Sequence, residues 1–193
     1  MSEVIHKFTH RVPGWRPRIT PVRLEEATEE QLNALKVTPS NTKVSDYVLV
    51  LAHDPESLDA RSPLFNEVMY GDAGLSRAER ELGAIGASIV NRCIYCAAVH
   101  ADRHAKLMKD PSVTEEIFRA GAAARLDPRD AAILDFAVKL SQTPPEVGEA
   151  EIAALRDVGL DDLEIADLAL ATAMFGWANR LMHILGDPVR TER

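Results

Sequence analysis

The chain is short of cysteine: two thiols occur among 193 residues, so a disulfide framework is excluded. It is short of positive charge as well. Thirty acidic residues face 22 Lys and Arg, and the net charge of -8 argues against a nucleic-acid footprint or a polybasic membrane patch. No apolar run approaches the roughly 18 residues of a membrane span. The opening "MSEVIHKFTHRVPGW" has no apolar core of a signal peptide, so the expected location is the cytosol. There is neither a dinucleotide fingerprint nor a phosphate loop, and no cofactor is implied. The two Trp and five Met read as core material, not as a cofactor box.

What is present is a helix-forming composition. Hydrophobic residues make up 46 %, rich in Ala and Leu, with Gly and Pro gathered at apparent breaks. Capping boxes recur at Thr28–Gln31, Ser76–Glu79 and Ser112–Glu115, with a weaker relative at Asp161–Glu164. Asp127–Pro128 places an N-cap before a first-turn proline. Gly71, Gly74, Asp110–Pro111, Gly121, Pro144–Pro145, Gly159 and Gly186–Pro188 read as stops. Between them the apolar spacing is helical, as in Leu82, Ile85, Ile89 and in Ile133, Phe136, Ala137, Leu140.

The expectation is an all-α, compact bundle of roughly seven to nine helices over residues 21–193. Residues 1–20, with Pro13 and Pro17, form an extended basic arm that lies on its own domain or on a partner subunit. "VSDYVLVLAH" reads as a short strand with no obvious partner. The helix from about 161 to 185 is apolar nearly all round and must be covered, which in so small a domain points to a homo-oligomer interface. His53, Trp177, Asn179 and His183 read as core or interface, and Asn179 needs a hydrogen-bond partner. A weak echo links "LSRAERELGAIGASIVNR" to "LDDLEIADLALATAMFGWANR".

Both cysteines fall in "ASIVNRCIYCAAVHADRH". On a helix, Cys93, Cys96, His100 and His104 lie along one stripe. Cys93 and Cys96 would stand about 5 to 5.5 Å apart at Cα, within reach of a disulfide. Cys96 and His100 are one turn apart, so a base can reach the thiol, and a helix start near Cys93 would supply a positive field. A straight continuation from the preceding helix would leave Glu81 about 18 Å from Cys93. A break at Asn91–Arg92 instead packs two helices side by side, and Glu81 can then face the stripe and orient His100. Structural zinc is disfavoured, because one helix cannot wrap these four side chains around an ion and no second Cys pair exists; no metal is expected. A structural disulfide across so short a loop stabilises little. Redox chemistry is the favoured reading.

The segment "ERELGAIGASIVNRCIYCAAVH" resembles the alkylhydroperoxidase D/carboxymuconolactone decarboxylase superfamily, whose redox branch carries Glu-x11-Cys-x2-Cys-x3-His. Here that is Glu81, Cys93, Cys96 and His100, with every spacing matched. "GLSRAERELGAI" and "FGWANRLMHILGDP" resemble its peroxidase-related subgroup. The resemblance implies an all-α homo-oligomer with thiol peroxidase activity on hydrogen peroxide or organic hydroperoxides. It makes Cys96 the peroxidatic thiolate, His100 its proton acceptor, Glu81 the end of the relay and Cys93 the resolving thiol, with a dithiol reductant as partner. The founding peroxidases carry a histidine just before the second cysteine. Tyr95 stands there in this chain, a phenol of pKa about 10.

Two points stay open in the sequence. Helix-terminus electrostatics favour Cys93 as the more acidic thiol, whereas the His100 spacing favours Cys96; we take Cys96, because a base in contact also accepts the proton. Tyr95 either lines the pocket or packs, and His104 reads as an exposed or near-site residue. The alternatives to a peroxidase are a dithiol/disulfide carrier without peroxide turnover, and a non-redox lyase or isomerase, which would not need the cysteines.

Overall fold

The computed structural model describes residues 3–36 and 44–191. Among these, the chain order is β1 (Gly14–Pro17), α1 (Glu29–Leu35), α2 (Asp46–Leu51), α3 (Pro55–Tyr70), α4 (Arg77–Val90), α5 (Ile94–Met108), α6 (Ser112–Ala120), α7 (Pro128–Leu140), α8 (Glu149–Asp157), α9 (Asp162–Leu185) and β2 (Gly186–Val189). The architecture is the expected helical bundle with a two-stranded ribbon added. The stretch expected as a strand, "VSDYVLVLAH", is instead α2, started by Ser45, whose side chain accepts from the Val48 N–H. Without a second strand beside it, such a run satisfies its backbone only by coiling.

The helix starts follow their caps. Reciprocal boxes form at Thr28/Gln31, Ser76/Glu79 and Asp161/Glu164, and Asp127 caps α7 ahead of Pro128. The expected box at Ser112–Glu115 does not form. Ser112 is already inside α6, and Asp110 Oδ1 accepts its N–H at 2.9 Å. The carboxylate two residues upstream reaches the orphan donor first.

Helix α4 is the centre of the bundle. It packs on α5, α7 and α9, and every residue from Arg80 to Ser88 is buried. Small residues make that possible. A β-carbon on Gly83 would lie 2.9 Å from Leu168 Cδ1, and one on Gly86 would lie 2.6 Å from Ala137 Cβ. The largest core cluster, which includes Leu82, Ile85, Ile133, Phe136 and Leu168, lies between α4, α7 and α9. Arg80 pins the α3–α4 connection onto α9 by binding Asp167 at 2.8 Å and the Gly71 carbonyl at 3.0 Å.

The arm lies on its own chain. Strand β1 runs antiparallel to β2 in the register Trp15↔Pro188 and Arg16↔Asp187. Arg16 binds Asp187 at 3.3 Å, and Arg18 binds the same carboxylate. The Trp15 ring lies flat on Gly186, where a β-carbon would come within 2.3 Å of it. The sequence reads Gly186–Pro188 only as a helix stop; it is also the strand that holds the arm.

Helix α9 is not covered all round within the chain. Its inner face buries Leu168, Phe175, Ala178 and Met182, while Leu163, Leu170, Trp177 and Ile184 stay exposed at heptad spacing. No helix among the described residues is long and apolar enough to cross a membrane.

Candidate active site

The site is built by the turn between α4 and α5. Asn91 ends α4, and Arg92 takes the left-handed conformation at φ 55°. That conformation is uncommon for a residue with a β-carbon, and it reverses the chain within two residues. The Cys93 N–H then bonds the Ser88 carbonyl at 2.9 Å, and Cys93 becomes the N-cap of α5. The break expected at Asn91–Arg92 is therefore present. It brings α5 back along α4, with Glu81 opposite His100.

Glu81 and His100 are both fully enclosed, at 0 % and 2 % exposure. The His100 Nδ1–H donates to Glu81 Oε2, and Arg77 Nε donates to Glu81 Oε1 at 2.9 Å. Arg77 is itself anchored on the Met69 carbonyl at 2.6 Å. Burial pushes the Glu81 carboxyl up, but the charge and hydrogen bond of His100 and the charges of Arg77 and Arg103 outweigh it and hold the pKa below the usual value. Burying a carboxylate costs several kcal/mol, and two charge-assisted bonds at about 1.5–3 kcal/mol each offset it. His100 is also held below its usual pKa, first by burial and then by Arg103 and Arg77, against the pull of Glu81. The pair is thus a carboxylate and a neutral imidazole. Since the carboxylate only accepts, the proton sits on Nδ1 and the lone pair on Nε2. Phe175 holds the ring edge-on at 4.0 Å.

Cys96 lies one turn and Cys93 two turns before His100, and both are free and buried. They behave as one coupled pair. The hydrogen bond from Cys96 holds Cys93 below the ordinary thiol pKa, helped by backbone N–H groups of the first turn and by Asn179. The same contact, with burial, pushes Cys96 well up. Of the two, Cys93 is the thiol held lower, the order that helix-terminus electrostatics favour. His100 makes no hydrogen bond to Cys96 among the described residues.

The sequence reads Asn179 as core or interface, or as reaching the site region from a neighbouring subunit. It is fully buried within the same chain, beside both sulfurs. Its Nδ2 bonds Ser88 Oγ and its Oδ1 accepts from Asn91 Nδ2, each at 3.2 Å. Ser88 donates to the Ala84 carbonyl and Asn91 Nδ2 to the Ala87 carbonyl; turned over, the Asn179 amide accepts from Ser88 Oγ at 3.2 Å and donates to the Phe175 carbonyl at 2.9 Å. The signal in the sequence was a lone amide in an apolar helix. The two Asn-Arg ends of the echoing segments meet here, at Asn91 and Asn179.

Trp15, Tyr47, Tyr95 and Met182 pack around the sulfurs. Tyr95 and Trp15 line two openings. One, of about 440 Å³, includes Cys93, Arg18, Arg92 and Met182; the other, of about 300 Å³, includes Tyr47 and Asp46. Tyr95 thus both lines the pocket and packs. His104 is not exposed. It is buried at 2 %, with Nδ1 unpartnered, because α6 closes over the stripe beyond His100. His53 and His183 are surface residues, bonded to the carbonyls of Thr20 at 2.8 Å and Asn91 at 2.7 Å. Tyr47, Arg61 and Arg77 are site residues that the spacing argument missed. Among the described residues, no cluster of three His, Cys, Asp or Glu side chains could hold a metal ion.

A family model, the carboxymuconolactone decarboxylase family, matches residues 55–139, from the start of α3 into α7 and across the whole motif. A solved structure of the alkylhydroperoxidase AhpD core, a peroxidase-related protein from Ralstonia eutropha JMP134, is 30 % identical, covers 92 % of each chain and superposes with a TM-score of 0.76. The chain belongs to the carboxymuconolactone decarboxylase family. A peroxidase-related protein from Silicibacter sp. TM1040 is 28 % identical over 88 % of this family member and 91 % of its own chain, with a TM-score of 0.73. The debrominase Bmp8 shares the fold at a TM-score of 0.75, covering 90 % of this chain and 92 % of its own, with 15 % identity. No curated protein matches the chain in sequence.

Proposed function

We propose that the protein is a thiol-dependent peroxidase that reduces hydrogen peroxide or organic hydroperoxides with its own dithiol. The observation that carries this is the enclosed His100, bonded through Nδ1 to Glu81 so that Nε2 is a base one turn from Cys96. His100 takes the Cys96 proton, directly or across one water. The Cys96 thiolate attacks the terminal oxygen of the hydroperoxide, so the S–O bond forms as the O–O bond breaks. The departing alkoxide takes the proton from His100 and leaves as the alcohol. Sulfur has lost two electrons and the peroxide has gained them. Cys93, already the more acidic thiol, attacks the sulfenic sulfur, expels its oxygen as water and closes the Cys93–Cys96 disulfide. A dithiol reductant then reopens it by exchange. Names of relatives containing "peroxidase-related" support the reading.

A second reading, a dithiol/disulfide oxidoreductase without peroxide turnover, is favoured by one observation. Cys93 is both the thiol of lowered pKa and the one lining the larger opening, as an exchange thiol should be. Thiol loss of the reduced protein under hydrogen peroxide and cumene hydroperoxide separates the two. Rapid loss of two thiols per chain supports the peroxidase. A rate equal to that of free cysteine, with fast exchange against an oxidised dithiol, supports the carrier.

The reading includes a reducing cytosolic setting, which a catalytic dithiol needs. It includes a homo-oligomer in which a second copy covers Leu163, Leu170, Trp177 and Ile184. Their heptad spacing gives a stripe that can pair with itself about a two-fold axis.

A further inference from the structure

Few buried polar atoms lack a partner among the described residues, and two of them belong to side chains that interact with each other. They are the Tyr47 hydroxyl, from α2, and Arg61 Nε, from α3. A buried donor without an acceptor is costly, and a site that awaits an anion or an oxygen is a recurrent reason to keep one. Tyr47 packs directly against the cluster of Cys93, Cys96 and Met182. Trp15 meets its ring edge-on at 5.7 Å. The opening of about 300 Å³ lined by Trp15, Tyr95, Asp46 and Tyr47 has room for a small organic group beside the tyrosine. Arg61 is held over the Phe65 ring at 4.3 Å. Burial pushes the Tyr47 hydroxyl well up, so it stays a protonated donor, and the nearby Arg61 charge opposes that push only in part. The remaining walls of the thiol pair, Ser88, Asn91 and Asn179, are bonded to one another.

We propose that the Tyr47 hydroxyl, backed by the Arg61 guanidinium, is the hydrogen-bond donor to the departing oxygen of a hydroperoxide attacked by Cys96. This rests on the peroxidase reading above. In the step, the S–O bond forms, the O–O bond breaks and the alkoxide forms against Tyr47. It is protonated by the proton that His100 took from Cys96, so Tyr47 keeps its own. The ligand class is an organic hydroperoxide whose carbon group lies between Trp15 and Tyr95.

The test is single-turnover oxidation of Tyr47→Phe by cumene hydroperoxide, beside thiol alkylation by iodoacetamide and thermal melting. The expected result is a peroxide rate constant lower by on the order of 100-fold, an unchanged alkylation rate, and a melting temperature equal to wild type or higher, since an unpartnered hydroxyl has been removed. Arg61→Gln gives a smaller loss of the same kind and serves as the second variant. An unchanged peroxide rate in both variants overturns the inference while the peroxidase reading stands. Equal slowing of alkylation and peroxide reaction overturns it too, because Tyr47 then only shapes the thiols. A wild type no faster than free cysteine removes the peroxidase reading, and this inference with it.

Discussion

The two thiols lie between walls of opposite character. On the α4 side the polar groups form a closed chain, with Arg77 on Glu81, Glu81 on His100, and Asn91, Asn179 and Ser88 on one another. On the α2 and α3 side the donors Tyr47 Oη and Arg61 Nε are enclosed and have no partner among the described residues. The closed wall sets protonation before any substrate arrives, because Glu81 holds the His100 proton on Nδ1 and leaves the Nε2 lone pair to accept another. The open wall has hydrogen-bonding capacity left for a reacting molecule. A buried polar group thus has two uses, and the bonds it makes in the resting protein tell them apart.

Breaking the closed wall should have the largest effect. His100→Ala removes the base and should slow peroxide-driven thiol loss by roughly 10²- to 10⁴-fold, read by stopped-flow oxidation. Glu81→Gln should cost about 3 kcal/mol of stability, the lower end for a broken buried pair. The lower end applies because the Arg77 side chain is 22 % exposed and keeps some water. Chemical denaturation measures it.

Moving the wall without touching its chemistry should cost less. Gly86→Ala pushes α4 against Ala137, where 2.6 Å is available, and should destabilise by about 1–3 kcal/mol. Its thiols should still react with peroxide at the wild-type rate per folded chain.

Acid should act through the same wall. The folded chain holds His100 and His104 below 6.5, so below that pH the unfolded chain binds more protons and stability falls as pH falls. Glu81 adds to this below 4.5, where its stabilisation is lost as pH drops through its lowered value. Urea midpoints between pH 7 and pH 4 should decline, and the decline should flatten in His104→Gln. The smallest chemical effect is expected farthest away. Trp177→Glu, on the exposed stripe of α9, should lower the oligomeric mass in sedimentation and leave the peroxide rate per chain unchanged.

The α4–α5 part of the closed wall was legible in the sequence, its Asn179 only in part, and the open wall was not. Glu81, Cys93, Cys96 and His100 lie within one helix–turn–helix, so local spacing and a break at Asn91 suffice to bring them together. Arg77 sits one turn before Glu81 on the same helix and could have been found by the same spacing. Tyr47 and Arg61 reach the site from α2 and α3, far away in sequence, and no local period marks such a contact. Tyr47 was further hidden by β-branched neighbours that read as a strand. The ribbon was missed for a related reason. Gly186–Pro188 is a good helix stop on its own, and only its pairing with Gly14–Pro17, distant in sequence, makes it a strand. His104 was misjudged because burial on the last turns of α5 depends on where α6 folds.

The most direct test is the site of peroxide oxidation in Cys93→Ser. The reduced variant is treated with one equivalent of cumene hydroperoxide and trapped with a sulfenic-acid reagent, and the modified residue is read by mass spectrometry. The account predicts fast formation of one trapped sulfenic acid at Cys96, absent when His100→Ala is added. Labelling of Cys96 no faster than that of a free thiol, with Cys93 in the wild type still exchanging readily with an oxidised dithiol, would contradict it.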